Sequence, residues 1–443
     1  MTGARAAALG TLATLGGGMA LVAAWMLLPW QGCAALAAAV ATWLWATATG
    51  AQTRALFVIG LGSLPRRAGG ATTIVAGIAA VAGVLVALLA MAEGYRNTLR
   101  AGGAEDVALV LRTGSAAEVV SLIDRDAVAA VEAAPGVART AAGDPAVSAE
   151  LVVAASLPVR GGPGADEAGV PVRGVDARAF DVRPQVRIVE GRRFAAGLRE
   201  LIVGRGAASL FGLRPGQEIR LGGQPWTVVG LFDSGDALAS EIWADAGMLA
   251  DVYRRGPLRS TATVKLDSPA ALEPFRQALA AQPRLPLEVS TTAGYFARQS
   301  EGVTQVLTVT GMVVGAIMAA GALFGAVNTM YAAVAARSRE IATLRAIGFA
   351  GAPVVAAVVL ECMLLAALGG VVGALLATLL LDGTQASTVS GLAFGKLAFE
   401  LEVTAALAGD GLRWALAIGA IGGLPPALRA ARTPVGAALR ADG

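Results

Sequence analysis

Histidine is absent from this 443-residue sequence, and lysine occurs only twice, as Lys265 and Lys396. The lack of histidine removes the commonest general base and the commonest metal ligand of proteins. The two cysteines, Cys33 and Cys362, lie in or beside apolar segments, which excludes a disulfide framework and a CxxC site. We therefore expect no catalytic residue and no metal ligand in this chain.

Charged residues are scarce as well. They make up 15% of the chain against 56% hydrophobic residues, and the mean hydropathy is +0.65. Because a soluble domain averages about 25% charged residues, the composition indicates a membrane protein with one sizeable polar insert. The net charge is only +3. With no basic run and no aromatic residues clustered among charges, nothing favours nucleic-acid binding.

A phosphate-binding loop is also missing. Lys396 follows a glycine, but Leu397 stands where a Walker A loop needs Ser or Thr, and the upstream glycine spacing does not fit. We expect no cofactor to be bound directly. If the protein uses ATP and magnesium, a partner subunit supplies the site.

Long apolar segments are what the sequence has in abundance. A helix needs about 20 apolar residues to cross the hydrocarbon core of a bilayer. The first two segments form a predicted hairpin that turns at "PWQGC", although the first could instead be a cleaved signal peptide. The last segment is short and needs the preceding "VTAALAGDG" to reach across. The six segments are residues 8–30, 34–50, 71–92, 303–335, 353–381 and 412–424.

Arginines near the ends of the spans predict the orientation. Arginine-rich connections alternate with connections that have almost none, and long domains cross the membrane regardless of their charge. Both termini are therefore predicted to lie in the cytoplasm, with residues 94–302 outside. The arginines that carry this prediction are Arg5, Arg54, Arg66, Arg67, Arg337, Arg339, Arg345, Arg429, Arg432 and Arg440.

The predicted fold class is an α-helical integral membrane protein of about six spans with a large α+β extracytoplasmic domain. The domain is predicted at residues 94–302, and "QTRALFVIGLGSLPRRAGG" within the segment 51–70 is interpreted as a short interfacial helix or a loop. The remaining parts are an N-terminal hairpin (1–50), core spans (71–93, 303–335, 353–381 and 405–428), a cytoplasmic coupling segment (336–352), a short external loop (382–404) and a cytoplasmic tail (429–443).

The external insert reads as an ordinary folded domain. "EDVALVLR" predicts a strand, and "GQEIRLGGQPWTVVGLFD" predicts a hairpin that turns at Gly222 and Gly223. A group of acidic residues lacks the spacing of a metal site and is interpreted as solvated loop charges. These residues are Asp233, Asp236, Glu241 and Asp245.

Glycines recur four residues apart on the predicted spans, which lets helices approach closely. In the longest span all four are predicted to fall on one face at about 100° per residue, although an alanine- and glycine-rich composition produces such spacings by itself. That span with its leader would measure about 65 Å and project from a bilayer core of about 30 Å as a stalk. The glycines are Gly311, Gly315, Gly321, Gly325, Gly369 and Gly373, with a further pair at Gly419 and Gly423.

Two polar residues lie inside predicted spans. Glu361 sits about two turns within the fifth span, where a carboxylate is a functional candidate. Its depth also allows it to snorkel toward the interface or to pair with Arg345. Asn328, near the inner end of the fourth span, is interpreted as the donor or acceptor of an interhelical hydrogen bond.

The stretch "ARSREIATLRAIGFAGAPV" forms a polar break between two apolar segments. Wound as a helix, Ile341, Leu344 and Gly348 make a narrow apolar stripe with Glu340 and Arg345 on its shoulders. An apolar ridge flanked by opposite charges suits a docking groove on a cytoplasmic partner. A turn on the lipid surface, held by positive-inside arginines, fits the pattern equally well.

Two motifs carry a resemblance to a known family. "RSREIATLRAIGFAGAPVVAAVVLECMLLAALGGVVGALLA" resembles the signature of the FtsX/MacB-like permeases of ABC transporters, and "GGLPPALRAARTPVGAALR" resembles that family's closing motif. "ELIVGRGAASLFGLRPGQEIRLGGQPWTVVGLFD" resembles its extracytoplasmic core domain. The resemblance covers roughly residues 55–440. The N-terminal hairpin and the lack of a fused ATPase domain depart from the family pattern.

The resemblance implies a four-span core with one large outer domain between its first two spans. It also implies a homodimer that binds two copies of an ABC ATPase, whose movement is passed outward by mechanotransmission, and in many relatives a HlyD-type periplasmic adaptor. The expected function is export or efflux. Activation of a cell-wall enzyme and lipoprotein extraction are the alternatives. The residues carried over as ATPase contacts are Arg337, Arg339, Glu340, Ile341, Leu344, Arg345 and Gly348.

Overall fold

The computed structural model describes residues 17, 20–160, 167–389 and 396–432. The chain divides into two compact units that are each assembled from separate segments. The helical unit comprises Met1–Ala90, Thr308–Asp382 and Glu402–Gly443, and the sheet unit comprises Met91–Leu307 and Gly383–Leu401.

The helical unit is built from apolar helices and the short segments that join them. Two of its helices, α4 and α10, also contribute residues to the sheet unit. The helices are α1 (20–27), α2 (Trp30–Ala46), α3 (Ala48–Gly62), α4 (Ala68–Ala101), α10 (Thr292–Ala336), α11 (Ser338–Ala346), α12 (Gly351–Leu381) and α13 (Ala405–Arg432).

Three of these helices, α4, α10 and α12, are long and apolar enough to cross a membrane. They confirm the predicted spans 71–92, 303–335 and 353–381 as helices, and α10 continues for 45 residues without a break. α13 is helical but is not among the candidate spans in the described residues. The count of six spans stays a prediction, because residues 8–16, 18 and 19 of the first predicted span lie outside the described part of the chain.

The predicted N-terminal hairpin differs from the structure in its boundaries. The chain leaves the helical conformation at Leu28 and Pro29, just before "WQGC", and α2 then ends at Ala46. α3 follows at once, bent by 94°, so that the pair counts as a fourth span only if it is taken as one broken helix. Gly50 permits this bend because a Cβ there would lie 2.3 Å from the carbonyl oxygen of Trp43.

The sheet unit carries a ten-stranded mixed sheet in the order β10-β1-β9-β2-β3-β8-β5-β7-β4, with β6 paired to β7. Its strands are β1 (Val107–Arg112), β2 (Val147–Pro158), β3 (Glu167–Val175), β4 (Arg187–Gly191), β5 (Glu200–Gly204), β6 (Glu218–Leu221), β7 (Gln224–Asp233), β8 (Ile242–Asp245), β9 (Thr261–Lys265) and β10 (Leu287–Thr291). Its helices are α5 (Arg125–Glu132), α6 (Ala179–Val182), α7 (Arg205–Phe211), α8 (Ala246–Val252) and α9 (Leu272–Ala280).

Strand β2 joins two halves of this sheet. Its first residues pair with β9 and the remainder pairs with β3, so that the partner changes between Glu150 and Leu151. Each half buries its own apolar cluster, one around Phe275 beneath α5 and α9, and one around Trp226 beside α7 and α8. Glu150 therefore lies where the two halves meet.

The turns of the sheet unit confirm one prediction and correct another. Gly222 and Gly223 adopt positive φ angles of 56° and 79° between β6 and β7, as the predicted hairpin requires. The predicted external loop 382–404 instead contains two antiparallel strands, β11 (Gln385–Val389) and β12 (Lys396–Glu400). Strand β12 is attached to the sheet unit, because Ala398 N donates to Ser240 Oγ at 3.0 Å.

Candidate coupling site

The helical path changes direction at a single residue between α10 and α11. Arg337 has φ −110° and ψ 12°, which ends α10 at Ala336 and lets α11 begin at Ser338. After α11, Gly348 takes a φ of +113°, and Phe349 N donates to the carbonyl of Leu344 at 3.1 Å. Because that φ favours glycine, Gly348 acts as the C-terminal stop of α11 and is not part of its surface stripe.

A buried ion pair holds this junction. Arg337 Nη2 donates to Glu361 Oε2 at 2.8 Å, and Glu361 is only 2% exposed. Arg337 Nη1 also reaches Ser63 Oγ at 3.4 Å. Arg337 is thus directed into the helical unit and not toward a partner surface, and it pairs with Glu361, for which the sequence had offered Arg345 as one possible partner.

Gly60 of α3 packs directly on this ion pair. A Cβ at position 60 would lie 2.9 Å from Glu361 Oε2 and 3.0 Å from Arg337 Nη1. The pair therefore connects three parts of the helical unit, namely α3, the α10–α11 junction and α12. The lack of a side chain at this one position is what allows α3 to approach it.

The predicted apolar stripe of α11 packs inward. Ile341 and Leu344 are half-buried against the core of the helical unit. Burial of their apolar side chains there holds α11 against the rest of the helical unit. A docking ridge formed by these residues, one of the two readings of the sequence, stays a prediction, and only the exposed parts of the two side chains are available for it. Arg345 is half-buried. Ala346 and Gly348 are exposed, and the larger exposed side chains of this segment, called the outward face below, are Arg339, Glu340, Thr343 and Ile347. Ile347 is 71% exposed.

Glycines make close helix contacts on α12, as predicted. A Cβ at Gly369 would lie 2.8 Å from the carbonyl oxygen of Val75, and one at Gly373 would lie 2.3 Å from that of Ala79. These distances bring α12 against α4 with backbone touching backbone. Gly419 and Gly423 bring α13 equally close to α12, with added Cβ atoms 2.5 Å from Ala366 Cβ and 2.9 Å from Cys362 Cβ.

The glycines of α10 divide between two environments. Cβ atoms added at Gly311 and Gly315 would contact Leu88 and Leu85 of α4 at 3.2 Å and 3.3 Å. Those at Gly321 and Gly325 would meet no described atom within 4 Å. The ten residues from Gly311 to Gly321 turn the helix by about 1000° at 100° per residue, which leaves the second pair offset from the first by about 80° around the axis. The four glycines still lie within about 120° of one another around the helix, but only the first pair meets α4.

Asn328 lies exposed near Gly321 and Gly325 on the open side of α10. The interhelical hydrogen bond predicted for it does not form within the described part of the chain. Only 11% of the most apolar stretch of α10 is buried, compared with 44% for α4 and 39% for α12. Much of α10 is thus available to lipid or to another protein.

The sheet unit contains a buried charge cluster that the sequence analysis missed. Arg173 of β3 donates to Glu241, Glu150 and Glu118 at 2.7 Å each, and all four side chains are at most 11% exposed. Arg183 adds further bonds to Glu150 and donates to Thr263 Oγ1 at 2.9 Å. The cluster ties β2, β3 and β9 together where the two halves of the sheet meet.

The carboxylates of this cluster have shifted pKa values. Burial opposes the ionisation of Glu150, but Arg183 and Arg173 outweigh it and lower its pKa to about 2. Burial raises the pKa of Glu118 in spite of its bond to Arg173. Asp236 is also buried, which raises its pKa, and it caps the following turn by accepting from Leu238 N. The interpretation of Asp236 and Glu241 as solvated loop charges was therefore wrong.

Comparison with protein families matches two long segments of the chain. The family described as MacB-like periplasmic core domain matches residues 71–282, and the FtsX-like permease C-terminal family matches residues 312–435. The chain belongs to the FtsX/MacB-like ABC transporter permease family. A comparison with curated proteins finds no match.

Solved structures similar to this permease include two outer domains. One is the extracellular domain of the noncanonic ABC-type transporter YknZ from Gram-positive bacteria, with 19% identity over 42% of this chain and 99% of that chain, at a TM-score of 0.31. The other is the periplasmic region of MacB from Actinobacillus actinomycetemcomitans, with 12% identity over 44% and 92% of the two chains, at a TM-score of 0.34.

Membership of this permease family settles the general class of the protein. Members are the membrane subunits of ABC transporters and are not themselves enzymes, and the family implies an ABC ATPase as partner. Together with the candidate spans, it indicates a multi-pass protein of the bacterial inner membrane.

Proposed function

We propose that this permease couples ATP hydrolysis by a separate cytoplasmic ATPase to its outer domain by mechanotransmission, and that it serves export. The observation that carries the proposal is the continuity of α10. This helix of 45 residues begins directly after β10 and ends one residue before α11. At about 1.5 Å per residue it is roughly 68 Å long, more than twice the bilayer core.

The contacts of α11 support its role as the receiving element. Its inward residues Ile341 and Leu344 pack on the core, and the Arg337–Glu361 pair fixes the residue just before it to α12. A displacement of α11 is therefore passed to α10 and α12 instead of being absorbed in a loose loop. The outward face remains free to contact an ATPase that holds ATP and magnesium.

The far end of α10 is equally well fixed within the sheet unit. Thr292, its first residue, accepts from Ala104 N at 2.9 Å and donates to the carbonyl of Ala104 at 3.1 Å. β10, which precedes it, pairs along its whole length with β1. Movement of α10 thus reaches the sheet through hydrogen-bonded backbone. A HlyD-type adaptor would receive it in an export system.

A homodimer completes the proposal. An exposed amide is costly in lipid, and α10 presents Asn328 beside two glycines that contact nothing within the described chain. The same surface on a second copy would satisfy the amide and pack closely against the glycines. Two copies would then offer two outward faces to two ATPase subunits. Both termini and α11 lie in the cytoplasm under this proposal, in agreement with the arginine pattern.

Co-purification with the cognate ATPase tests the proposed interface. Ile347→Asp places a charge on the exposed apolar residue of the outward face, and Glu340→Lys reverses a charge there. Each should weaken ATPase binding by about tenfold or more, as expected for residues central to an interface. Leu198→Asp, at a residue that is 51% exposed in the sheet unit, is the matched control. Undiminished ATPase binding by both variants would exclude the outward face as the contact.

A further inference from the structure

A cavity of about 400 Å³ opens beside the α10–α11 junction. Its walls come from the first turns of α4, the last turns of α10 and part of α12, and most of them are small or apolar. They include Gly69, Ile74, Met330, Ala333 and Leu365. The cavity is therefore shaped by the same elements that we propose to move when α11 is displaced.

Two charged residues line this apolar cavity. Glu361 is one of them, but its charge is compensated by Arg337. The other is Arg66, which lies exposed in the turn Leu64–Arg67 and has no hydrogen bond or ion pair within the described part of the chain. By contrast, Arg54 stacks on the Trp45 ring at 3.9 Å. Arg66 thus offers an uncompensated cation to whatever enters.

The helix that precedes Arg66 indicates the depth of the cavity in the membrane. α3 is bent by 94° from α2 and exposes Ala55, Val58 and Ile59 along one side. Val58 is 65% exposed and Ile59 is 47% exposed. An interfacial position of α3, as predicted from the sequence for the segment 51–70, would turn this apolar side toward lipid. Arg66, four residues beyond its end, is then at the level of the lipid headgroups.

We propose that this cavity binds one anionic phospholipid, with its phosphate on Arg66 and an acyl chain along Ile74, Met330 and Leu365. An arginine suits a phosphate because its planar guanidinium donates two parallel hydrogen bonds. The cytoplasmic leaflet, where the proposed orientation places α11, is the anionic one. A bound chain would fill the space beside the α10–α11 junction and so connect lipid composition to the proposed movement.

Native mass spectrometry of the purified full chain tests this site, after exchange into mixtures of phosphatidylglycerol and phosphatidylcholine. We expect one phosphatidylglycerol to be retained in preference to phosphatidylcholine. Arg66→Gln should weaken that retention about fivefold, the effect of one arginine near a lipid surface. Arg54→Gln is the matched control and should retain the lipid, because Arg54 does not line the cavity. Inorganic phosphate should not displace the lipid.

A second pair of variants keeps Arg66 and changes only the volume available in the cavity. A Cβ at either Gly69 or Gly62 would meet no described atom within 4 Å, and only Gly69 lines the cavity. Gly69→Leu should therefore expel the lipid while Gly62→Leu retains it. Equal retention of both lipids, equal losses in a variant and its control, or complete displacement by inorganic phosphate would each overturn the proposal.

Discussion

Buried charged residues hold two positions in this chain, the α10–α11 junction in the helical unit and the boundary between the two halves of the sheet. In the helical unit, Arg337 and Glu361 form a pair that also supports Gly60 of α3. In the sheet unit, Arg173 is surrounded by three carboxylates at the boundary between two halves of one sheet. Such pairs are expensive to bury, so their main effect is to specify one arrangement.

Removing one partner of the helical-unit pair should be strongly destabilising. Glu361→Gln leaves Arg337 buried without a counter-charge, which costs about 3–5 kcal/mol. Thermal unfolding of the detergent-solubilised chain measures the loss. The double variant Arg337→Met with Glu361→Met removes both charges and should recover most of the stability. If Glu361→Gln unfolds at the wild-type temperature, the pair does not hold the junction.

Glu150 should make the stability of the protein depend on acid pH. Its pKa is about 2 in the fold against an ordinary value of 4.5. Its contribution is therefore fully present above pH 4.5 and is lost as the pH falls toward 2. The raised pKa of Glu118 acts in the opposite direction and partly offsets this slope. Unfolding temperatures across this range should fall less steeply in Glu150→Gln; a slope equal to that of wild type would contradict the assignment.

At the scale of elements, close helix contact is made by glycines that meet a neighbouring backbone. Gly373→Ala places a Cβ 2.3 Å from the carbonyl of Ala79 and must push α12 away from α4. We expect a loss of about 1–3 kcal/mol, as for other overpacked cores, measured by thermal unfolding. Gly321→Ala is the matched control, since its Cβ meets no described atom within 4 Å. Equal losses of stability in both variants would show that the effect comes from helix propensity and not from the contact between α12 and α4.

The sequence was sufficient to predict the long helices but not which parts of the chain they pack against. Apolar runs located α4, α10 and α12, and the stripe of Ile341 and Leu344 was correctly read as an apolar face. Whether that face meets a partner or its own core depends on tertiary packing, which periodicity does not report. The same limit explains the missed cluster at Arg173, whose carboxylates come from segments distant in the chain. The segment of β11 and β12 was predicted as a loop because it combines small and polar residues that are typical of a loop.

For the whole molecule, the exposed side of α10 predicts how two copies meet. Asn328→Cys should form a disulfide between copies in oxidised membranes, because the helices would meet at Gly321 and Gly325. The native cysteines Cys33 and Cys362 are buried and should give a low background. Leu379→Cys, at a residue of α12 that is 72% exposed, is the control and should remain uncrosslinked. Crosslinking that is equal at both positions would reflect random collision in the membrane.

The central claim is that movement received on α11 reaches the outer domain. Its most direct test is electron spin resonance distance measurement between labels at Val120→Cys, a residue of the sheet unit that is 57% exposed. The measurement uses the permease–ATPase complex in lipid nanodiscs, with and without trapped ATP. We expect ATP to shift the distance distribution between the two copies, and Ile347→Asp to abolish the shift. An unchanged distribution on ATP binding by a complex that still hydrolyses ATP would contradict the account.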